Sequence, residues 1–251
     1  MTMIVEHLEE SAKLPEKYSR QLILYIKDIA VMYQCIVPKK FKVNLEYCAL
    51  DIALFFNNCY YLAHSLLGPP WRIILPATLA DLLTTVIIEC IQDLRVIGLE
   101  KISLYLQTQK NDITKKIEDT ELPWTHESYQ IFDAAINSSL TLMKDLKSSW
   151  HNILPVRMYE LSICTLAQAL CQAMLDKVFA DSKPISEELA YMLALRFDDT
   201  VLLKAQLLEI TDLWGTDKLL SQSYVCEEIR QIVKMRFPED KYRLKILKEI
   251  Q

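Results

Sequence analysis

The sequence predicts an all-α fold, and three observations carry that prediction. Glycine occurs only three times in 251 residues, at Gly68, Gly98 and Gly215, where average usage near ~7% would give roughly 18. A chain so poor in glycine lacks the residues for many tight hairpins or for a phosphate-cradling loop. That excludes all-β folds, the dinucleotide fingerprint and the P-loop. Nine prolines cut the chain into segments of mostly helical length. Within those segments apolar residues recur every three or four positions, and neither strand alternation nor an internal repeat is found. Antiparallel helices joined by short links are the expected architecture.

The elements follow in order. Met1 to Glu10 is acidic and amphipathic rather than a basic targeting segment. After Pro15, apolar residues fall at Tyr18, Leu22, Tyr25, Ile26, Ile29, Tyr33 and Ile36. That is one helix face, and Pro38 is expected to stop the helix. The segment from Lys40 to Leu67 ends at Gly68-Pro69-Pro70, a strong stop. Its polar residues from Tyr47 onward are Asp51, Asn57, Asn58, His64 and Ser65, so it is expected to be largely buried. Ala77 to about Asp119 has no proline and reads as one long helix, with Gly98 as the place for a kink. Lys110 to Glu121 is nearly all polar. A module boundary is therefore placed near residue 120, giving a helical module at 1–120 that contains the long helix and a C-terminal helical module at 121–251. The second module holds the segments Thr125–Asn152, Pro155–Ala180, Ser186–Arg196, Leu202–Trp214, Tyr224–Phe237 and Glu239–Ile250. Pro155 is expected to open its helix, with Ile153 and Leu154 as an apolar corner. The tryptophans at 71, 124, 150 and 214 fall at segment ends, where large rings fill gaps between helices.

The formal net charge is −5, without the basic surplus of a nucleic-acid binder. Seven cysteines at scattered spacings suit reduced cytosolic thiols rather than a disulfide framework. No stretch approaches the ~18 apolar residues that would span a membrane. Marks of a helical enzyme are missing too. The residues three before the four histidines are Ile4, Tyr61, Pro123 and Ser148, so the Glu-x-x-His pattern of di-iron bundles is absent. His126-Glu127 lacks the second histidine of a zincin, and there is no C-x-x-C. Asp198-Asp199 is followed at the fifth position by Leu202, so it lacks the last carboxylate of a D-D-x-x-D magnesium site. Cys164 and Cys171 stand seven apart on a helix, too far along it to chelate one ion, and are expected in the core. No cofactor and no metal is expected. Asn57 and His64 stand seven apart on one helix face. They could form a ligand pair, but a buried, hydrogen-bonded stripe is the favoured reading.

Charge is unevenly spread. Asp181–Glu228 holds ten acidic and four basic residues, and Ile229–Gln251 holds seven basic and three acidic. Arg230, Lys234, Arg236, Arg243, Lys245 and Lys248 form a candidate partner interface. The rival reading pairs these cations with the acidic stretch of the same chain.

Three motifs resemble one known family. Phe56-Asn57-Asn58-Cys59-Tyr60-Tyr61-Leu62-Ala63-His64-Ser65-Leu66-Leu67 looks like the Asn-Asn-Cys…Ala-His…Leu-Leu helix of the zeste-white-ten family of kinetochore and membrane-tethering proteins. Trp150-His151-Asn152-Ile153-Leu154-Pro155-Val156-Arg157-Met158-Tyr159 is similar to its Trp-x-x-(Val/Ile)-Leu-Pro-Val-x-x-Tyr link. Glu209-Ile210-Thr211-Asp212-Leu213-Trp214, followed by Ile229 to Phe237 and a basic last helix, resembles its C-terminal ending. The resemblance covers nearly the whole chain but only the C-terminal third of the family protein, and the stretch around Phe197–Thr200 is shorter than the family's. It marks Asn57, Asn58, Cys59, His64, Trp150 and Pro155 as motif residues.

The resemblance implies antiparallel helical bundles stacked as a rod of the tethering-complex type, without catalysis. It implies a Rod-like large helical subunit and Zwilch as partners at kinetochores, where the complex recruits dynein and serves the spindle checkpoint. It also implies a second assembly that tethers Golgi-derived vesicles at the endoplasmic reticulum. The chain would be cytoplasmic, reaching the membrane only through partners and touching no nucleic acid directly. The contrasting expectation is a helical enzyme or lipid carrier, which a deep enclosed pocket lined by polar groups would favour.

Overall fold

A computed structural model describes residues 2–68, 74–121 and 126–180, together with Met192 and Arg196. Its elements are α1 (Thr2–Ser11), α2 (Glu16–Lys40), α3 (Lys42–Tyr47), α4 (Ala49–Leu67), α5 (Ala77–Glu118), α6 (His126–Trp150) and α7 (Val156–Phe179). The fold is all-α, and no strand occurs among the described residues. These residues fall into two compact units. One holds the residues up to Tyr105 with Asn152–Pro155, and the other holds Leu106–His151 and the described residues from Val156 on.

In the first unit, Pro15 precedes α2 with φ −56° and ψ 143°, and its carbonyl accepts from the Tyr18 and Ser19 amides. The Ser19 hydroxyl, fully buried, lies 2.7 Å from the Ser11 carbonyl that ends α1. It thereby satisfies one of the carbonyls a helix end leaves unpaired. The buried face of α2 is Ser19, Ile23, Ile26 and Ala30. This corrects the expected stripe, of which Tyr18, Tyr25 and Ile36 are exposed and Ile26 alone is fully buried. The helix carries two apolar stripes. The core takes the one with small residues, which let neighbouring helices approach, and leaves the tyrosines outside.

Two boundaries also differ from expectation. α2 runs through Pro38 to Lys40. A proline in the last turn costs the helix its own donor to the carbonyl four residues back, and helix geometry carries on past it, the Phe41 amide bonding the Val37 carbonyl at 3.0 Å. The single helix expected over Lys40–Leu67 is broken at Cys48, which is extended at φ −101° and ψ 110°. Asn44 spans the break, its amide donating to Asp51 Oδ2 at 2.7 Å. By length and composition α2 could cross a membrane, contrary to the expectation that no stretch could. Lys27 and Asp28 sit at its middle, and its inner stripe packs within the unit.

Three contacts tie α2, α4 and α5. The Tyr33 ring stacks on Phe55 at 6.0 Å between centroids. Gln34 Nε2 donates to the Cys90 carbonyl at 2.8 Å. At Gly98 a Cβ atom would stand 3.0 Å from Cys59 Cβ and 3.7 Å from the Phe56 carbonyl oxygen. Gly98 therefore serves close approach of two helices, inside an uninterrupted α5. Ile52, Phe56 and Cys59 are fully buried beneath that crossing.

In the second unit, α6 buries Tyr129, Phe132, Ile136, Leu140, Met143, Leu146 and Trp150 at helical spacing. α7 answers with Tyr159, Ile163, Leu166, Leu170 and Met174. Pro155, which belongs with the first unit, stands one residue before the first helical residue, Val156, rather than inside the helix. Leu154 beside it is buried and Ile153 half-buried. Near the end of α5, Lys177 Nζ donates to the Glu118 carbonyl at 2.7 Å and also to that of Thr120. A lysine so placed satisfies carbonyls that the helix end leaves without partners.

Candidate functional site

The Asn-Asn-Cys…His motif lies on α4, where its residues divide among three environments. Cys59 is fully buried. Burial pushes its thiol up to about 12, because a thiolate there would lose its hydration. Asn58 is half-buried and hydrogen-bonds Tyr33 of α2. Burial and the Cys59 sulfur push the Tyr33 hydroxyl up to about 12, against the opposing pull of that hydrogen bond. Asn57 is half-buried and His64 exposed. The expected buried stripe from Asn57 to His64 is thus corrected: the row Leu50, Leu54, Asn57, Tyr61 and His64 forms the outward side of α4, opposite Phe55, Cys59 and Leu62. The expectation of a largely buried segment overlooked this side.

Elsewhere, Trp150 is fully buried at the end of α6, and the His151 ring meets Tyr159 edge-on at 5.4 Å. Cys171 is buried and Cys164 half-buried, so the expected core pair is half realised. The basic residues Arg230, Lys234, Arg236, Arg243, Lys245 and Lys248 lie outside the described residues, as do Trp71, Trp124, Trp214 and the pair Asp198-Asp199.

Sequence reasoning missed one polar cluster. Arg196 pairs with Asp133 of α6 and Tyr129 lies beside them, its hydroxyl 3.5 Å from Asp133 Oδ1. Desolvation raises the Tyr129 hydroxyl above its ordinary value, opposed by the hydrogen bond from Arg196. The partners are 63 residues apart, a separation at which no local pattern announces a pair. The cluster carries one cation and one carboxylate in mutual contact, the arrangement of a clamp between segments.

Among the described residues, no group of three or more His, Cys, Asp or Glu side chains could hold a metal ion. A cavity of about 30 Å³ beside α4 and α5 is lined by Leu66, Ala80, Leu83, Thr84, Ile87 and Ile91 among others. That is room for about one water.

The family described as "Centromere/kinetochore protein zw10, C-terminal" matches residues 1–115. Relatives named "Centromere/kinetochore protein zw10 homolog" from Rattus norvegicus and Mus musculus are 22% and 24% identical, each alignment covering the whole of this chain. "Centromere/kinetochore protein zw10" of Drosophila melanogaster is 24% identical over 85% of the chain. The chain is similar to zw10 proteins in their C-terminal region. It spans 38% of the length of the two rodent relatives and 32% of the fly protein. No solved structure matches it. The zw10 match at 1–115 takes in α1 to α4 and nearly all of α5, hence the whole Asn-Asn-Cys helix and its Gly98 partner.

Proposed function

We propose that this chain is a non-enzymatic scaffold module of a zw10-type kinetochore subunit, and that its work is to hold a large helical partner. The observation that carries the reading is similarity, since relatives named for the centromere and kinetochore align with the chain from end to end. The helical architecture agrees with it, and so does an α4 motif that supplies packing and an uncharged outer face rather than a catalytic pair. In this reading the helices stack as a rod, in modules 1–120 and 121–251. The partners are the Rod-like subunit and Zwilch in mitosis, with a role in dynein recruitment and the spindle checkpoint. The corresponding subunits of the Golgi-to-endoplasmic-reticulum tethering complex are the partners in interphase. Localisation follows those partners: cytoplasmic, at the kinetochore in mitosis and peripheral at the endoplasmic reticulum otherwise. The basic row Arg230, Lys234, Arg236, Arg243, Lys245 and Lys248 supplies the field that captures an acidic partner surface.

Affinity capture of the chain from mitotic and interphase cells tests this reading. Recovery of Rod-like and Zwilch subunits in mitosis and of tethering subunits in interphase is the expected result. Replacing Arg230, Lys234 and Arg243 together by glutamate should weaken that capture, most visibly at low salt, with the melting temperature nearly unchanged. A large fall in melting temperature with capture retained would assign those charges to the fold instead. Recovery of neither complex would overturn the scaffold assignment.

A further inference from the structure

The second apolar stripe of α2 is a seam. Tyr18, Leu22, Tyr25, Ile29, Met32 and Ile36 are spaced four, three, four, three and four residues apart. This is the repeat with which one helix packs lengthwise on another. Tyr18, Tyr25, Met32 and Ile36 are each more than half exposed, with Leu22 and Ile29 half-buried. The outward row of α4, Leu50, Leu54, Asn57, Tyr61 and His64, repeats at four, three, four and three. Neither row contains Asp, Glu, Lys or Arg, where an unpartnered surface helix would be expected to carry charges on its wet face.

The two rows share one side of the helix pair. α2 and α4 meet through Tyr33, which stacks on Phe55 and bonds Asn58. Each turns a different flank to α5, Gln34 reaching the Cys90 carbonyl and Cys59 lying against Gly98. On α2 the Tyr33 row separates the buried stripe from the seam. On α4 the Asn58 row separates Phe55 and Leu62 from Leu54 and Tyr61. Both rows therefore lie on the side away from α5, flanking the Tyr33–Asn58 contact, as two ridges with a valley between them. A valley between two helices is where the ridge of a third helix packs.

Charge narrows the occupant. α2 has five basic residues against two acidic in a chain of net −5. Glu16 is taken up by Arg20 at 2.8 Å. The exposed Lys17 stands at one end of the seam and the exposed Lys39 and Lys40 at the other. Two copies of this chain apposed along the seam would bring lysines together in either direction. A lipid surface would have to take up Asp28 at the edge of the seam and Asn57 within the second row, at a cost in apolar surroundings.

We propose that this face docks one amphipathic α-helix of a partner protein, with heptad-spaced aliphatic side chains in the valley and carboxylates near both its ends. Asn57, the amide among apolar neighbours, sets its register, as a single polar residue does in helix pairs. The proposal does not depend on which complex the chain serves.

The test uses the full chain and a synthetic 28-residue peptide with leucine at the heptad a and d positions and glutamate at e and g. Its like charges keep it from pairing with itself. Fluorescence anisotropy should show saturable binding, weakened at least tenfold by Tyr25→Glu and by Tyr61→Glu, unchanged by Val96→Glu on exposed α5, and reduced by salt. Circular dichroism and melting verify each fold, and Met32→Ser reads the same face should a glutamate variant fail to fold. No binding, binding indifferent to these substitutions, or equal binding of a lysine-flanked peptide would overturn the proposal. So would a wild-type dimer that Tyr25→Glu dissociates in sedimentation, or flotation with phosphatidylcholine–phosphatidylserine vesicles that Tyr25→Glu abolishes. Capture of the cellular complexes is a separate measurement, so either result can fail alone.

Discussion

The two units solve the same packing problem with different materials. Of the large hydrophobic side chains exposed among the described residues, nineteen lie at or before Leu104 and three lie after it. That disproportion exceeds the difference in described length. In the first unit a helix approaches another closely enough that a Cβ at Gly98 would crowd Cys59, and apolar rows still face outward. In the second, α6 and α7 bury most of their large apolar residues, leaving Ile131, Val156 and Leu161 exposed. Polar groups tie segments together, with Lys177 on the carbonyls that close α5 and Arg196 on Asp133. The contrast teaches where each unit spends its apolar surface. Among the described residues, the second unit turns it inward for stability. The first keeps a share outside, which is the signature of a surface meant to be covered.

The largest expected effects test whether each unit has its own core. Trp150 is fully buried in the second unit and Phe56 in the first. Truncating either to alanine should cost about 3–5 kcal/mol. Hydrogen exchange should then localise the loss, with Trp150→Ala loosening α6 and α7 and Phe56→Ala loosening α2, α4 and α5. Uniform loosening of all the helices by both substitutions would break the comparison.

The crossing at Gly98 gives the next effect. Gly98→Val places branched carbons where even one Cβ stands 3.0 Å from Cys59 Cβ. Overpacking of this kind costs about 1–3 kcal/mol. The control is Leu99→Val on the exposed side of the same helix, expected within about 0.5 kcal/mol of wild type. Equal effects at the two positions would mean that the helices tolerate separation there.

The polar clamp of the second unit should be worth less. Asp133 and Arg196 are about a fifth and a quarter exposed. Asp133→Asn should therefore cost about 1–2 kcal/mol, between a surface and a buried pair. It should also admit protease cleavage near Met192 and Arg196 before any loss of helicity. Resistance equal to wild type would show that the pair is incidental.

Alkaline pH sharpens the same contrast from the other side. The Cys59 thiol is pushed up from 9.0 to about 12 in the folded chain. The folded state therefore holds a proton that the unfolded state releases. The associated stability is fully present below about pH 9 and is lost as pH rises towards 12. Denaturant midpoints of wild type and Cys59→Ala should converge over that window. A gap that stays constant with pH would mean that the thiol is not shielded as its burial requires.

How far the sequence revealed this design depends on the kind of signal. Proline spacing placed α5, α6 and α7 to within two residues, because a proline constrains its own neighbourhood whatever the rest of the chain does. Pro38 misled because its cost is small where a helix is already ending. The break at Cys48 has no local signal at all. The buried face of α2 was misassigned for a different reason. Periodicity reveals that apolar residues line a helix face, but when a helix has two such faces the tertiary neighbours decide which is covered. The same ambiguity hid the outward row of α4, since an uncharged stretch reads as core until exposure is seen. The Asp133–Arg196 pair was invisible because contact across 63 residues leaves no trace in spacing.

His64 gives the smallest expected effect on the fold and separates most directly the two uses of α4. It is exposed at the end of the outward row, so His64→Ala should change stability by no more than about 0.5 kcal/mol. Asn58→Leu on the flank towards α2 loses the bond to Tyr33 and should cost about 1 kcal/mol or more. If α4 serves only its own unit, binding of the acidic helical peptide will be indifferent to both. If its outer row is a docking surface, His64→Ala will weaken the peptide while leaving the midpoint untouched, and Asn58→Leu will move the midpoint first. A position that alters binding without altering folding belongs to an interface, and His64 is where α4 can show that most cleanly.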